Sequence, residues 1–374
     1  MFKVGVIGAT GYVGCELLRI LINHPKVEIS AISSVSFEGE EFSSIYKTFY
    51  KQTNLICENQ SDVIEKCEII FTALPHGLSE DIANECLSKN KICIDLGADF
   101  RLSNEEDYKQ WYGKEFDHKD IHSKSIYGLP ELNREKIKNH KIIANPGCYP
   151  TSIELGLLPL LKLGLIDGKN IICDSKSGVT GAGRGLSQKT HAAELNGNFA
   201  PYSVGCHRHT PEIEEILSTI ANEKINVTFT PHLLPINRGI ISTIYTTPKE
   251  NTSLDNNFTD KINCHNIEVD HFNIEKSNNL KINLEEIHKL YRETYKNEPF
   301  VEVLPLGETA SIKNIAFTNN CHISLHLNHR MDGLIVVSTI DNMIKGAAGQ
   351  AIQNMNIILG LNETTGLNFI APAF

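Results

Sequence analysis

Along the first part of the chain, short continuous apolar runs alternate with segments whose apolar residues fall at helical spacing. Lys3 to Ile7 leads into a glycine-rich turn, Gly8 to Gly14, after which Leu17, Leu18, Leu21 and Ile22 mark one face of a helix. Val27 to Ile32, Glu68 to Leu74, Lys91 to Leu96 and Ile142 to Ala144 repeat the apolar run. Between them, Ser79 to Ser88 carries Ile82, Ala83, Cys86 and Leu87 on one helical face. Strand and helix in alternation predict an α/β unit built on a doubly wound parallel sheet.

Beyond Thr151 the pattern changes. Leu155, Leu157, Leu158, Leu160 and Leu161 form an apolar helix interrupted by Pro159, followed by an extended segment, Lys169 to Lys176. Val227 to Thr230, Ile240 to Thr246, Ile315 to Phe317, His322 to Leu327 and Leu334 to Thr339 alternate and predict strands. Their short connections imply an α+β substrate or dimerisation domain with a mixed, largely antiparallel sheet covered by helices on one face. Asp341 is placed to cap a last helix whose apolar face (Ile344, Ala347, Ala348, Ala351, Ile352, Met355, Ile358, Leu359) ends at Gly360 and is expected to return to the first domain. The division that follows is 1–147 with 341–374 as one domain and 148–340 as the other. Residues 250–282, rich in Asn, are expected to be a surface excursion or a partly ordered loop. The Asn251-Thr252-Ser253 acceptor pattern within them is not expected to be used in a cytosolic chain.

A length of 374 residues suffices for two cores, and a formal net charge of −10 argues against nucleic acid and anionic membranes as partners. The ten Cys show no CxxC pairing, which fits a reducing cytoplasmic compartment. No apolar run reaches the roughly 18 residues of a membrane span. A small anionic substrate stays open wherever Arg and His collect.

Chemistry concentrates at the strand ends. In a doubly wound sheet ligands bind beyond the carboxyl ends of the strands. The Gly8, Thr10, Gly11, Tyr12, Val13 and Gly14 turn has the glycines that let backbone approach a pyrophosphate at a helix N-terminus, a Rossmann-type arrangement. Ser33 and Ser34 stand where an NAD-binding unit carries an acid, so NADP is favoured over NAD. Leu74, Pro75 and His76, and Gly97 to Arg101, fall on the same rim. Gly181 and Ala182, in the glycine loop Ser177 to Gly185, suit close approach to nicotinamide and substrate.

Asn145-Pro146-Gly147-Cys148-Tyr149-Pro150-Thr151 puts a thiol at a helix start, where the dipole and unpaired N–H groups favour a thiolate and can hold an oxyanion. Cys206-His207-Arg208-His209-Thr210-Pro211-Glu212 offers imidazole as base for the thiol or proton donor to a leaving group, and Arg208 as anion clamp. A zinc site is the competing use of these His; it lacks nearby third and fourth ligands, so no metal is expected.

Taken together, Gly8 to Gly14, Asn145 to Thr151, Ser177 to Arg184, His207 to Glu212 and Lys345-Gly346-Ala347-Ala348-Gly349-Gln350-Ala351 resemble the N-acetyl-γ-glutamyl-phosphate reductases of arginine biosynthesis, over nearly the whole chain. The resemblance implies NADPH-dependent reduction of an acyl phosphate to a semialdehyde through a Cys148 thioester. His209 would be the acid/base, with His207 as the fallback. Arg101, Arg184, Arg208 and Arg238 are candidates for substrate phosphate and carboxylate, and Asn145, Ser177 and Tyr202 for the rest of the substrate. It further implies a dimer or tetramer. Val35 departs from the basic residue such chains often carry after the Ser pair. The alternatives are an aspartate-semialdehyde dehydrogenase or other acyl-phosphate reductase and, from another class, a non-catalytic NADP-binding redox sensor with Cys148 as its switch.

Overall fold

The computed structural model describes residues 1–249, 283–330 and 332–374. The Asn-rich stretch 250–282, with its acceptor pattern at Asn251, lies outside the described residues. Seven strands, β1 (Phe2–Ile7), β2 (Val27–Ser33), β3 (Cys57–Glu58), β4 (Ile69–Thr72), β5 (Ile92–Asp95), β6 (Ser125–Tyr127) and β7 (Ile142–Ala144), form a sheet in the order β3-β2-β1-β4-β5-β7-β6. All of its pairings are parallel. Strands β4 and β7 are buried at every residue, as continuous apolar runs covered on both faces require. Strand order reverses between β1 and β4, which opens the crevice at the carboxyl ends where Gly8, Ser33, Leu74 and Asn145 emerge.

The second sheet contains β8 (Ile171–Gly178), β9 (Ala200–Pro201), β10 (Val227–Leu234), β11 (Ile240–Thr246), β12 (Val301–Val303), β13 (Cys321–Leu327) and β14 (Leu334–Ile340), in the order β12-β13-β14-β11-β8-β10-β9. Four of its six pairings are antiparallel; β8 with β10 and β12 with β13 are parallel. The strands here depart from the sequence reading at three places. Ile315 to Phe317 is a turn, because Phe317 has φ 63°, outside any strand conformation, and donates its N–H to Asp341 Oδ2. Strand β12 was too short, at three residues between Pro299 and Pro305, to stand out from its surroundings. Strand β10 runs on through Pro231. That proline is tolerated because one flank of β10 meets only the two-residue β9, at His232 and Leu233.

One helix joins the two sheets. It begins at Cys148, directly after β7, and runs to Lys162 with every residue from Tyr149 to Leu161 buried. Small residues let it lie close on the second sheet: Ser152 donates to Ser242 Oγ at 3.0 Å and to the Ser338 carbonyl at 3.3 Å, and a Cβ on Gly156 would stand 3.0 Å from Ile244. The chain then returns. Asp341 accepts the N–H groups of Met343 and Ile344, starting a π-helical turn, Ile344–Ala348, that continues as the helix Gly349–Ile358. Ile344, Ala348, Ala351, Ile352 and Met355 pack in one core with Val4, Leu17, Leu18 and Phe71 of the first sheet's layer. The thiol corner is therefore closed from behind by the returning chain.

Candidate active site

Gly147 is the N-cap of the Cys148 helix, in extended conformation, and no side chain caps the helix. Its N–H instead donates to Glu212 Oε1 at 2.7 Å. A Cβ on Gly147 would stand 2.8 Å from His209 Nε2 and 3.0 Å from Arg101 Nη1, so both side chains lie directly over the residue preceding the thiol. On the other side, a Cβ on Gly346 would come within 2.7 Å of Cys148 Cβ. The π turn presses on the Cys148 backbone and admits no side chain there.

The thiolate that the helix start favours is opposed by its surroundings. Burial pushes the Cys148 thiol up to about 11, against the lowering influence of Arg101 and of the backbone N–H groups of Tyr149 and Cys148. The helix start supplies the predicted stabilisation; desolvation outweighs it. The histidines are shifted the other way. Burial, with Arg208 beside it, lowers His207 to about 4, and burial, His207 and Arg101 push His209 well below the usual imidazole range. His207 Nδ1 accepts the His209 N–H at 3.1 Å, which fixes that nitrogen as unprotonated. Its ring packs edge-on against Tyr149, Tyr202 and Phe229. His209 Nδ1 is buried without a hydrogen-bond partner.

The arginines divide sharply. Arg101 is buried, donating from Nε to the Asn145 carbonyl (2.8 Å), from Nη2 to the Leu96 carbonyl (2.9 Å) and from Nη1 to Glu212 (3.4 Å). Arg238 is matched with Glu16 in a two-pronged pair, at 3.0 and 2.6 Å. Arg184 donates to the Thr10 carbonyl at 3.0 Å and lies over the rings of Phe37 and Tyr46. Arg101 and Arg238 are thus held by carboxylates, whereas Arg184 meets a carbonyl and two rings, so the four candidates are not equivalent. Arg208 is exposed, contacts His76 Nδ1 at 3.0 Å and the Tyr112 ring, and, like Arg184, has no carboxylate partner among the described residues. Asn145 is also engaged inside, donating to the Ala347 carbonyl and accepting from Asn354. Ser177 is buried and donates to the Gly178 carbonyl, while Tyr202 bonds Tyr149.

The cofactor loop has its own geometry. Gly8 has φ 82°, and a Cβ on Gly14 would stand 2.3 Å from the Gly8 carbonyl oxygen, so neither position tolerates a side chain. The helix Tyr12–Leu21 starts at Gly11 with no side-chain cap and no acid in its first turn. Such an end suits a pyrophosphate. Gly8 and Ala9 donate to the Ser33 carbonyl, and Thr10 and Ser34 share a hydrogen bond at 2.6 Å. Val35, next in line, is exposed. Leu74, Pro75 and His76 follow β4 on the same rim, and Asp99 holds the start of the next helix by accepting the N–H groups of Gly77, Leu78 and Ser79. Gly181 and Ala182 lie in a 3-10 turn after β8, held to the returning chain through Thr180 and Asn342. These residues fit an NADP-type dinucleotide. Among the described residues no three His, Cys, Asp or Glu side chains gather to hold a metal.

Sequence reasoning passed over three buried residues at the corner. Glu212 was seen only as part of a motif, yet it bonds Gly147, Arg101 and Tyr127. Glu154 sat in plain view, as an acid inside an apolar helix, and accepts from Tyr127 at 2.9 Å. Tyr127, linking the two carboxyl groups, gave no signal.

Residues 3–140 match the semialdehyde dehydrogenase NAD binding domain, and residues 148–262 and 271–342 the semialdehyde dehydrogenase dimerisation domain. The chain is 66% identical over 374 residues to an N-acetyl-gamma-glutamyl-phosphate reductase of Clostridium beijerinckii, and 51% identical over 381 residues to one of Brachyspira hyodysenteriae, covering 100% of each chain in both cases. Among solved structures it is similar to aspartate semialdehyde dehydrogenase II from Vibrio cholerae (TM-score 0.68, 16% identity, 96% of this chain and 98% of that one). A Candida albicans aspartate semialdehyde dehydrogenase solved with NADP matches equally well (TM-score 0.67, 16% identity, the same coverage). At that identity the likeness concerns the fold.

Proposed function

The chain belongs to the N-acetyl-γ-glutamyl-phosphate reductases of the semialdehyde dehydrogenase family, and on that premise we propose that Cys148 is its nucleophile, His209 its acid/base and Arg208 the cation that meets the substrate's phosphate. The enzyme reduces N-acetyl-γ-glutamyl phosphate to N-acetylglutamate 5-semialdehyde with NADPH, releasing phosphate through a thioester on cysteine. The observation that carries the residue assignment is the His209 imidazole lying over Gly147, at the side of Cys148.

His209 takes the thiol proton as Sγ bonds to the acyl carbon, and passes it to the phosphate as the C–O bond breaks. The unpartnered charge of Arg208 draws the dianion to the mouth of the site and holds it there. The N–H groups of Cys148 and Tyr149, which already favour negative charge on the sulfur, face the developing oxyanion. The Gly8 to Gly14 turn, Ser33 and Ser34 hold NADPH, which when bound supplies the hydride that converts thioester to aldehyde. As the aldehyde leaves, the sulfur recovers its proton from solvent by way of His209.

No helix among the described residues is long and apolar enough to cross a membrane. A cytoplasmic homo-oligomer, assembled through the dimerisation domain, completes the reading. Its test runs the reaction backwards: N-acetylglutamate 5-semialdehyde should reduce NADP only when inorganic phosphate is present. Turnover without phosphate, or a preference for aspartate semialdehyde, would overturn the assignment.

A further inference from the structure

Beneath the thiol corner lies a buried polar chain that the reaction as described does not use. Glu212 Oε1 accepts the Gly147 N–H (2.7 Å) and faces the Tyr127 hydroxyl (2.9 Å), while its Oε2 meets Arg101 Nη1 at 3.4 Å. The same Tyr127 hydroxyl stands 2.9 Å from Glu154 Oε1. Both glutamates are fully buried. Tyr127 has one proton to donate, so two ionised carboxylates around it would leave one facing a lone pair. Glu212 has the guanidinium and a backbone N–H; among the described residues Tyr127 is the one hydrogen-bond partner of the Glu154 carboxyl. The proton therefore belongs on Glu154 and the charge on Glu212, an arrangement that leaves the buried set electrically balanced against Arg101.

We propose that Glu212 is a positioning residue for the nucleophile: it fixes the Gly147–Cys148 corner through the Gly147 N–H and shares the Arg101 guanidinium with the sulfur, while Glu154 serves as its protonated, uncharged neighbour. Two consequences follow from the geometry. The Gly147 N–H is taken, so the oxyanion must rely on the N–H groups further into the helix. The thiol also sees a half-neutralised Arg101, which lends the sulfur less stabilisation than a free guanidinium would. Burial and Glu212 both act to raise the Cys148 thiol, whereas Arg101 lowers it. Tyr149 and Tyr202 also act on the sulfur; His209 lies over Gly147, with His207 and Arg208 acting on His209. Lys345, behind Gly346, is engaged by Glu131 at 2.7 Å. Around Glu212 itself stand Arg101, Tyr112, Tyr127, Glu154 and Glu215.

This deepens the assignment of Cys148 and rests on it, but its test needs no substrate. The rate of iodoacetamide labelling of the Cys148 peptide, followed by mass spectrometry across pH with exposed Cys206 as internal standard, reads the thiol directly. Glu212→Gln frees Arg101 and should move the labelling midpoint acidward by about one pH unit. Glu154→Gln replaces one uncharged group by another and should leave the midpoint in place. Glu212→Asp keeps the charge but shortens the reach to Gly147; it should preserve the midpoint while kcat falls about tenfold or more. It remains decisive should Glu212→Gln fail to fold. An unmoved or alkaline-shifted midpoint in Glu212→Gln, an acid shift in Glu154→Gln, or normal kcat in Glu212→Asp would each overturn the proposal. Loss of turnover in Cys148→Ser tests the nucleophile separately.

Discussion

Two corners of this enzyme are built from the same local device and do different work. At Gly11 and at Gly147 a buried parallel strand ends, a glycine stands at the N-cap in extended conformation, and a helix begins with no side-chain cap. At Gly11 the glycines keep Cβ atoms away and nothing acidic enters the first turn, so the helix end stays open to a pyrophosphate. At Gly147 the surroundings close in. Glu212 takes the N–H, His209 and Arg101 lie overhead and Gly346 packs from behind. A helix N-terminus is thus a resource whose use is decided by what the rest of the chain lays against it. The difference between thiol and phosphate chemistry comes from segments more than sixty residues away in sequence, at 209, 212 and 346.

The contrast can be broken from either side. The largest effect is expected from Gly346→Ala, which puts a methyl group where only 2.7 Å separates it from Cys148 Cβ. A displacement on that scale should lower kcat about a hundredfold with NADPH binding intact, as steady-state kinetics beside fluorescence titration of the cofactor would show. Gly14→Ala is its mirror image: a methyl 2.3 Å from the Gly8 carbonyl should raise the NADPH Kd about tenfold, roughly 1.4 kcal/mol, while Cys148 alkylation is unchanged. If each substitution impaired both functions equally, the corners would not be separable. Smallest is Val35→Arg. Exposed beside Ser34, an added guanidinium should lower the NADPH KM roughly threefold, the size of one exposed ion pair, and leave NADH unaffected.

Where the sequence was legible, the reason is local. Continuous apolar runs such as Ile69–Thr72 and Ile142–Ala144 can be buried only in a two-sided sheet, and the glycine turn at Gly8 to Gly14 has to pass close to neighbouring backbone. Cys148 was found by its place between strand and helix. The second sheet was harder, because the three-residue β12 and the Pro231-containing β10 take their pairing from partners far along the chain. Ionisation was the least legible property. A thiol at a helix start reads as acidic, yet burial wins at Cys148. The four arginines looked alike in sequence. Only folding shows that Glu16 has claimed Arg238 and Glu212 has claimed Arg101, while Arg184 and Arg208 have no carboxylate partner among the described residues.

The central claim is that sulfur at position 148, and no other group, carries the acyl chain between phosphate release and reduction. Mixing the enzyme with N-acetyl-γ-glutamyl phosphate in the absence of NADPH, quenching in acid and sequencing peptides by mass spectrometry tests it directly. The account predicts about one phosphate released per active chain and an N-acetylglutamyl mass on the Cys148 peptide that hydroxylamine removes. Phosphate release that requires NADPH, or an acyl group carried on Cys206 or another residue, would contradict it.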